Sequence, residues 1–187
     1  MKIQKLLPSL FFPAILLVWI WVSRVPTSSL PSDTIEAPKE NFQAPTFTLN
    51  SIADASISLD ELQGRPLILN FWASWCPPCR SEMPAFQQAW QEYHETDLAI
   101  VAINATNQDS LNDIINFIDE KDLEFPILLD IDGNVSSSYN IHSLPTTYMI
   151  NREGVITKII IGGPIPLSLL RVQADQLLQE RIDVPNN

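Results

Sequence analysis

From about residue 45 onward, continuous apolar runs take turns with stretches in which apolar residues recur every three or four positions. LILNFWA (67–73), LAIVAIN (98–104) and FPILLD (125–130) are the continuous runs, the composition of strands covered on both faces. Phe86, Ala89, Trp90 and Tyr93 fall at i, i+3, i+4 and i+7, which predicts a helix from about Pro78 to Tyr93. Leu111, Ile114, Ile115 and Ile118 repeat that spacing, with Asp109 or Ser110 as the expected helix cap. Ahead of them, FTLN (47–50) and the alternating SISL (56–59) predict a short hairpin, followed by a turn at Gly64. VSSSYNI (135–141) predicts a short helical or irregular piece. TTYMIN (146–151) and VITKIII (155–161) flank a turn at Arg152–Gly154 and predict an antiparallel pair, and Leu170, Ala174, Leu177 and Leu178 mark a closing helix. Strands joined by helices and closed by a hairpin give an α/β fold: a mixed central sheet with helices on both faces.

The chain before residue 45 follows neither pattern. Lys2 and Lys5 precede an uncharged apolar run from Leu6 to Val22, and Arg24 follows it. The run is at the short end of a membrane-spanning length, and Trp19 and Trp21 suit a membrane interface. The SRVPTSSLPS that follows is a poor cleavage site and holds no cysteine for lipid attachment. Residues 1–24 are therefore expected to be an uncleaved anchor with its N-terminus in the cytoplasm. Residues 25–44, rich in Pro, Ser and Thr, are expected to be a flexible tether, and 45–187 an exported domain on a single-pass protein of a bacterial cell membrane. A tethered single domain is expected to be a monomer.

Charge narrows the partners. All 22 acidic residues lie at or after Asp33, against 11 basic residues in the whole chain, for a net charge of −11. Such a domain repels phosphate backbones, so nucleic acid is not an expected partner.

The chain has 2 cysteines, Cys76 and Cys79, both within FWASWCPPCRSEMP (71–84). Closing so small a loop adds little stability, which points to a chemical pair rather than a structural staple. A buried strand running straight into a helix puts the pair at a helix N-terminus, where free N–H groups and the helix dipole favour a thiolate. Cys76 is expected to be the more exposed, attacking sulfur, and Cys79 the resolving one. Trp75 is expected to shield the pair on one side and to offer a flat apolar surface to a partner. Neither Pro77 nor Pro78 can donate an N–H, so a Cys76 thiolate relies on the Cys79 amide and the dipole. A less stabilised thiolate makes a more reducing couple. Zinc would need further ligands, and only His94 and His142 remain, without paired spacing. Covalent haem would need a histidine where Arg80 stands. No cofactor is expected.

FWASWCPPC resembles the active-site signature of the thioredoxin fold, and SLPTTYMINREGVI (143–156) resembles its cis-proline loop and last hairpin. Together with the anchor, the tether, the extra βα unit around 98–121 and Glu82, the chain resembles the TlpA/ResA-type membrane-tethered thioredoxin-like proteins over about residues 45 to 180. The resemblance implies a thioredoxin-like fold carrying an extra N-terminal hairpin, and a CxxC thiol-disulfide oxidoreductase. It implies a cis Pro145 facing the cysteines, with the Leu144 backbone free to pair with a client segment. Pro84 then bends the active-site helix without a chemical role. Asn70 stands where thioredoxin itself has a buried acid, and Glu82 takes over as proton acceptor for Cys79, the alternative being a solvated glutamate in the first turn. His142 is expected in an exposed loop. The implied clients are apocytochromes c or other exported proteins with disulfides, and the implied electron donor is a transmembrane thiol carrier. A thiol peroxidase shares the fold class but needs a Pro-x-x-x-Thr/Ser-x-x-Cys loop, and no proline stands at that offset from Cys76. Two readings stay open beside the reductase: a client- or metal-binding assembly module, and an oxidase or isomerase running the same chemistry in the other direction.

Overall fold

A strand that is apolar on both sides needs cover over both faces of its sheet, and the order of elements supplies it. The computed structural model describes residues 36–180; the expected anchor (1–24) lies outside the described residues, as does the first part of the tether. Strands β1 (Thr48–Asn50) and β2 (Ser56–Ser58) form the hairpin, a separate two-stranded antiparallel sheet. Then follow β3 (Leu67–Trp72), α1 (Pro77–Tyr93), β4 (Ala99–Asn104), α2 (Leu111–Lys121), β5 (Ile127–Leu129), α3 (Asn134–Ser138), β6 (Thr146–Ile150), β7 (Ile156–Ile161) and α4 (Leu167–Gln179). The main sheet has the order β5-β4-β3-β6-β7, with β3, β4 and β5 parallel and β6 and β7 antiparallel to their neighbours.

Strand β3 is central, and its side chains alternate between two cores. Ile68 and Trp72 join one cluster with Met83 and Phe86 of α1, Ile114 and Phe117 of α2, and Leu170, Ala174 and Leu177 of α4. Leu67, Leu69 and Phe71 join the other, with Phe47, Val135, Tyr139 and Tyr148. Two crossovers in the same direction, β3 to β4 and β4 to β5, put α1 and α2 on one face; α3 and the hairpin side cover the other. Asn70 lies between Ile68 and Trp72 and so belongs to the α1 face, as does Thr147, its partner in β6.

Two local readings change. Helix α2 buries only part of the stripe its spacing suggested, with Ile118 half-buried against the core. Ile114 and Phe117 are enclosed, while Leu111 and Ile115 are 48% and 43% exposed. Phe117 stacks at a tilt against Trp72, 5.6 Å between ring centres, and the large aromatic surface turns the helix towards itself. Neither Asp109 nor Ser110 caps α2 with its side chain: Ser110 is the N-cap without such a bond, and Asp109 is engaged elsewhere. The second change concerns the tether. Residues 36–44 lie along the start of the outer strand β7, with Asn41 N–H donating to Ile156 O (2.8 Å) and Ile156 N–H to Phe42 O (2.9 Å). An edge strand left open invites pairing with other chains, and this segment occupies it. Its alternation was too short to read as structure. Among the described residues no helix is long and apolar enough to cross a membrane.

The division of α2 between buried and exposed positions has a stability consequence. Phe117→Ala should cost about 3–5 kcal/mol in urea unfolding, and Leu111→Ala within about 0.5 kcal/mol of nothing. Comparable losses at the two positions would contradict this orientation.

Candidate active site

At its C-terminal end β3 releases the chain into Ser74, Trp75 and Cys76, and α1 begins at once. Cys76 is the N-cap residue, in extended conformation (φ −88°, ψ 110°), with Pro77 and Pro78 in the first two helical positions. Both prolines lack the N–H that a helix start leaves unpaired, so the first amide able to reach back is that of Cys79, which donates to Cys76 Sγ at 3.3 Å. The two cysteines are joined as a disulfide. Cys76 is 3% exposed and Cys79 fully covered, so the expected order holds by a small margin. Pro77 is exposed beside them.

Trp75 is 55% exposed, and its indole N–H donates to Gln108 O at 2.8 Å. The preceding residue is held by the same loop: Asp109 accepts from Ser74 N–H (2.6 Å) and Ser74 Oγ–H (2.5 Å). Asp109 Oδ2 also accepts from Asn104 Nδ2 at 2.9 Å. The segment between β4 and α2 thus fixes the approach to the cysteines. Sequence reasoning missed this, because an aspartate just before an apolar helix reads as a cap.

Glu82 is fully buried on α1, three residues past Cys79 and therefore on the same helix face. This removes the reading of a solvated first-turn glutamate. Its Oε1 accepts from Asn70 Nδ2 at 2.9 Å, and its Oε2 from the Ile165 N–H at 2.9 Å. The other Asn70 N–H goes to Thr147 Oγ1, also 2.9 Å away, while Asn70 Oδ1 is left without a partner. Burial pushes the Glu82 pKa up from 4.5 to about 7, against the lowering effect of the Ile165 and Asn70 donors. Asn70 was singled out through the resemblance and Thr147 was not; the two-residue period of their strands puts both on the α1 face, whereas Ile165, in the irregular GGPIP before α4, carried no such signal.

The loop after α3 closes the site. The Leu144–Pro145 peptide bond is cis, and Pro145 is buried. Leu144, half-buried, packs against the core cluster that contains both cysteines. His142 is exposed, as is His94 at the end of α1. Pro84 lies inside α1. Among the described residues no group of three or more His, Cys, Asp or Glu side chains is arranged to hold a metal ion.

A raised carboxyl pKa is also a stability statement. The native protein holds the Glu82 proton more tightly than the unfolded chain does. The resulting stabilisation is therefore complete below pH 4.5 and lost as pH rises through about 7. Between pH 5 and pH 8, urea unfolding of the oxidised protein should show roughly 2–3 kcal/mol more loss in the wild type than in Glu82→Gln. Parallel pH dependences would mean that the charged carboxyl is not desolvated.

The chain matches the AhpC/TSA family over residues 41–159. It is 43% identical to the thioredoxin-like protein YneN of Bacillus subtilis (strain 168) over 125 residues, 66% of this chain and 72% of that protein. It is likewise 43% identical to the thiol-disulfide oxidoreductase ResA of Halalkalibacterium halodurans over 121 residues, 65% of this chain and 68% of that one. Among solved structures it resembles StoA from Bacillus subtilis, with a TM-score of 0.62 and 33% identity, over 69% of this chain and 96% of that one. A putative thiol:disulfide interchange protein DsbE from Chlorobium tepidum gives a TM-score of 0.68 at 28% identity, over 75% and 98% of the two chains. With the five-stranded mixed sheet, the extra hairpin and a CxxC pair where β3 meets α1, these likenesses place the chain in the AhpC/TSA family as a thioredoxin-fold thiol-disulfide oxidoreductase of the ResA/YneN kind.

Proposed function

We propose that the protein is a membrane-tethered, extracytoplasmic reductase of disulfides in exported proteins, apocytochrome c among them, with Cys76 as nucleophile and Glu82 as the proton acceptor of Cys79. The observation that carries this is a buried carboxyl one turn beyond the buried cysteine. A resolving thiol enclosed by protein has to give its proton to a group enclosed with it, and a carboxyl raised to about 7 is matched to that transfer near neutral pH.

The cycle balances as follows. The Cys76 thiolate attacks a client disulfide, forming a mixed disulfide and releasing one client thiolate. Cys79 passes its proton to Glu82, and its thiolate attacks Cys76 Sγ. The second client sulfur leaves as a thiolate, the Cys76–Cys79 disulfide forms, and two electrons have moved to the client. Protonated Glu82 then needs an acceptor, and turning over the Asn70 amide would present its unpartnered Oδ1 to that proton. A dithiol carrier spanning the membrane restores the cysteine pair. Leu144, next to Pro145, offers backbone to an extended client segment, and exposed Trp75 and Pro77 offer apolar surface beside Cys76.

The reducing direction is supported by the helix start. Two of the amides that could stabilise a Cys76 thiolate are replaced by prolines, which leaves Cys79 N–H. The reduction potential, equilibrated against dithiol buffers, should lie at or below about −230 mV; a value near about −120 mV would reverse the assignment to disulfide formation. Cys79→Ser should accumulate mixed disulfides with clients, whereas a passive binding module would gain none.

A further inference from the structure

The segment between β7 and α4, GGPIP (162–166), comes into direct contact with the proton-accepting site. Gly163 is exposed, yet it lies directly over the enclosed Glu82 carboxyl. A Cβ built on Gly163 would stand 2.5 Å from Glu82 Oε2 and 2.7 Å from Pro145 Cγ, both inside any real contact distance. The φ of Gly163 is outside the left-handed region that holds Gly64, Gly133, Gly154 and Gly162, so its backbone would accept an L-residue. What requires glycine here is the close approach. Two residues on, the Ile165 N–H donates to Glu82 Oε2.

We propose that Gly163 is a positioning residue for thiol exchange: lacking a side chain, it lets the 163–165 backbone close on Glu82, so that the Ile165 amide seats the carboxyl that accepts the Cys79 proton. The inference rests on the proton-acceptor reading of Glu82 given above. The segment is anchored on both sides of the contact. Gly162 N–H donates to Pro145 O at 2.8 Å, and the Ile165 side chain is 3% exposed within the core that holds both cysteines. A methyl group at 163 therefore presses on both the Pro145 ring and the Glu82 carboxyl, and the displaced carboxyl loses the Ile165 donor while it stays enclosed. The groups facing Glu82 are Asn70 of β3, with Thr147 of β6 behind it, and the Ile165 amide, all uncharged. On α1 itself the titratable neighbours are Cys76 and Cys79 once reduced. No charged group contributes to the Glu82 shift.

The test is the pH dependence of single-turnover oxidation of the reduced full-length protein by glutathione disulfide. In the wild type the resolving step should accelerate through the Glu82 titration, and Glu82→Gln should abolish that step. Gly163→Ala should move it to higher pH by about one unit, since the carboxylate has lost a hydrogen bond. In the Glu82→Gln background the same substitution should change nothing, which a merely structural role of Gly163 would not predict. A second readout needs no variant at Gly163: the Ile165 amide proton of the oxidised wild type should titrate with the Glu82 midpoint. An unmoved step in a folded Gly163→Ala protein, or an Ile165 amide flat between about pH 5 and 9, overturns the role of Gly163 while leaving the oxidoreductase reading intact. A wild-type profile without any step removed by Glu82→Gln overturns both.

Discussion

A carboxyl group closed off by protein must draw its hydrogen bonds from fixed donors, and Glu82 takes one from the central strand and one from the loop before the last helix. Much of the site follows from that constraint. Taking the charge out of water raises the acid into the neutral range, and the two donors keep it from rising further. The donors come from opposite ends of the chain order, residues 70 and 165, so the site exists only when β3 and the 162–166 loop have both docked on α1.

The cysteines sit at the start of the same helix, Cys76 as its N-cap and Cys79 one turn before Glu82, both buried. Their chemistry is set by what the helix start lacks: prolines at its first two positions leave a single amide, that of Cys79, on Cys76 Sγ. Beyond the helix, the site is held by the unit between β4 and α2. Asp109 grips Ser74, and the Gln108 carbonyl holds the Trp75 indole. The approach to the disulfide and the enclosed Glu82 carboxyl are thus fixed by different parts of the fold, with α1 common to both.

Much of this was legible from residue patterns, and the exceptions have physical reasons. The continuous apolar runs gave β3, β4 and β5, because a strand covered on both sides is apolar at nearly every position, with Asn70 in β3 and Asn104 at the end of β4 as the polar exceptions. The cysteine pair was legible in the residues themselves, and Glu82 came through the family resemblance, with its local i, i+3 spacing placing it on the face of Cys79. For helix α2 the spacing marked the element and half of its buried face: Ile114 and Ile118 pack inward, Leu111 and Ile115 are exposed, and Phe117, which the aliphatic pattern passed over, packs against Trp72. The 36–44 segment, the hold of Asp109 on Ser74 and the approach of Gly163 to Glu82 depend on tertiary contacts. Nothing in the local sequence marks a glycine whose neighbour is 81 positions away, from Glu82 to Gly163.

Glu82 is enclosed on α1 next to the cysteine pair, and the pH at which it changes protonation decides whether it can serve Cys79. Carbon-13 carboxyl resonances of the oxidised protein, followed from about pH 3 to 9 and assigned by their disappearance in Glu82→Gln, measure it directly. A Glu82 midpoint of about 7 is expected. A midpoint at the ordinary 4.5 would mean that the carboxyl is solvated and cannot serve as the proton acceptor described.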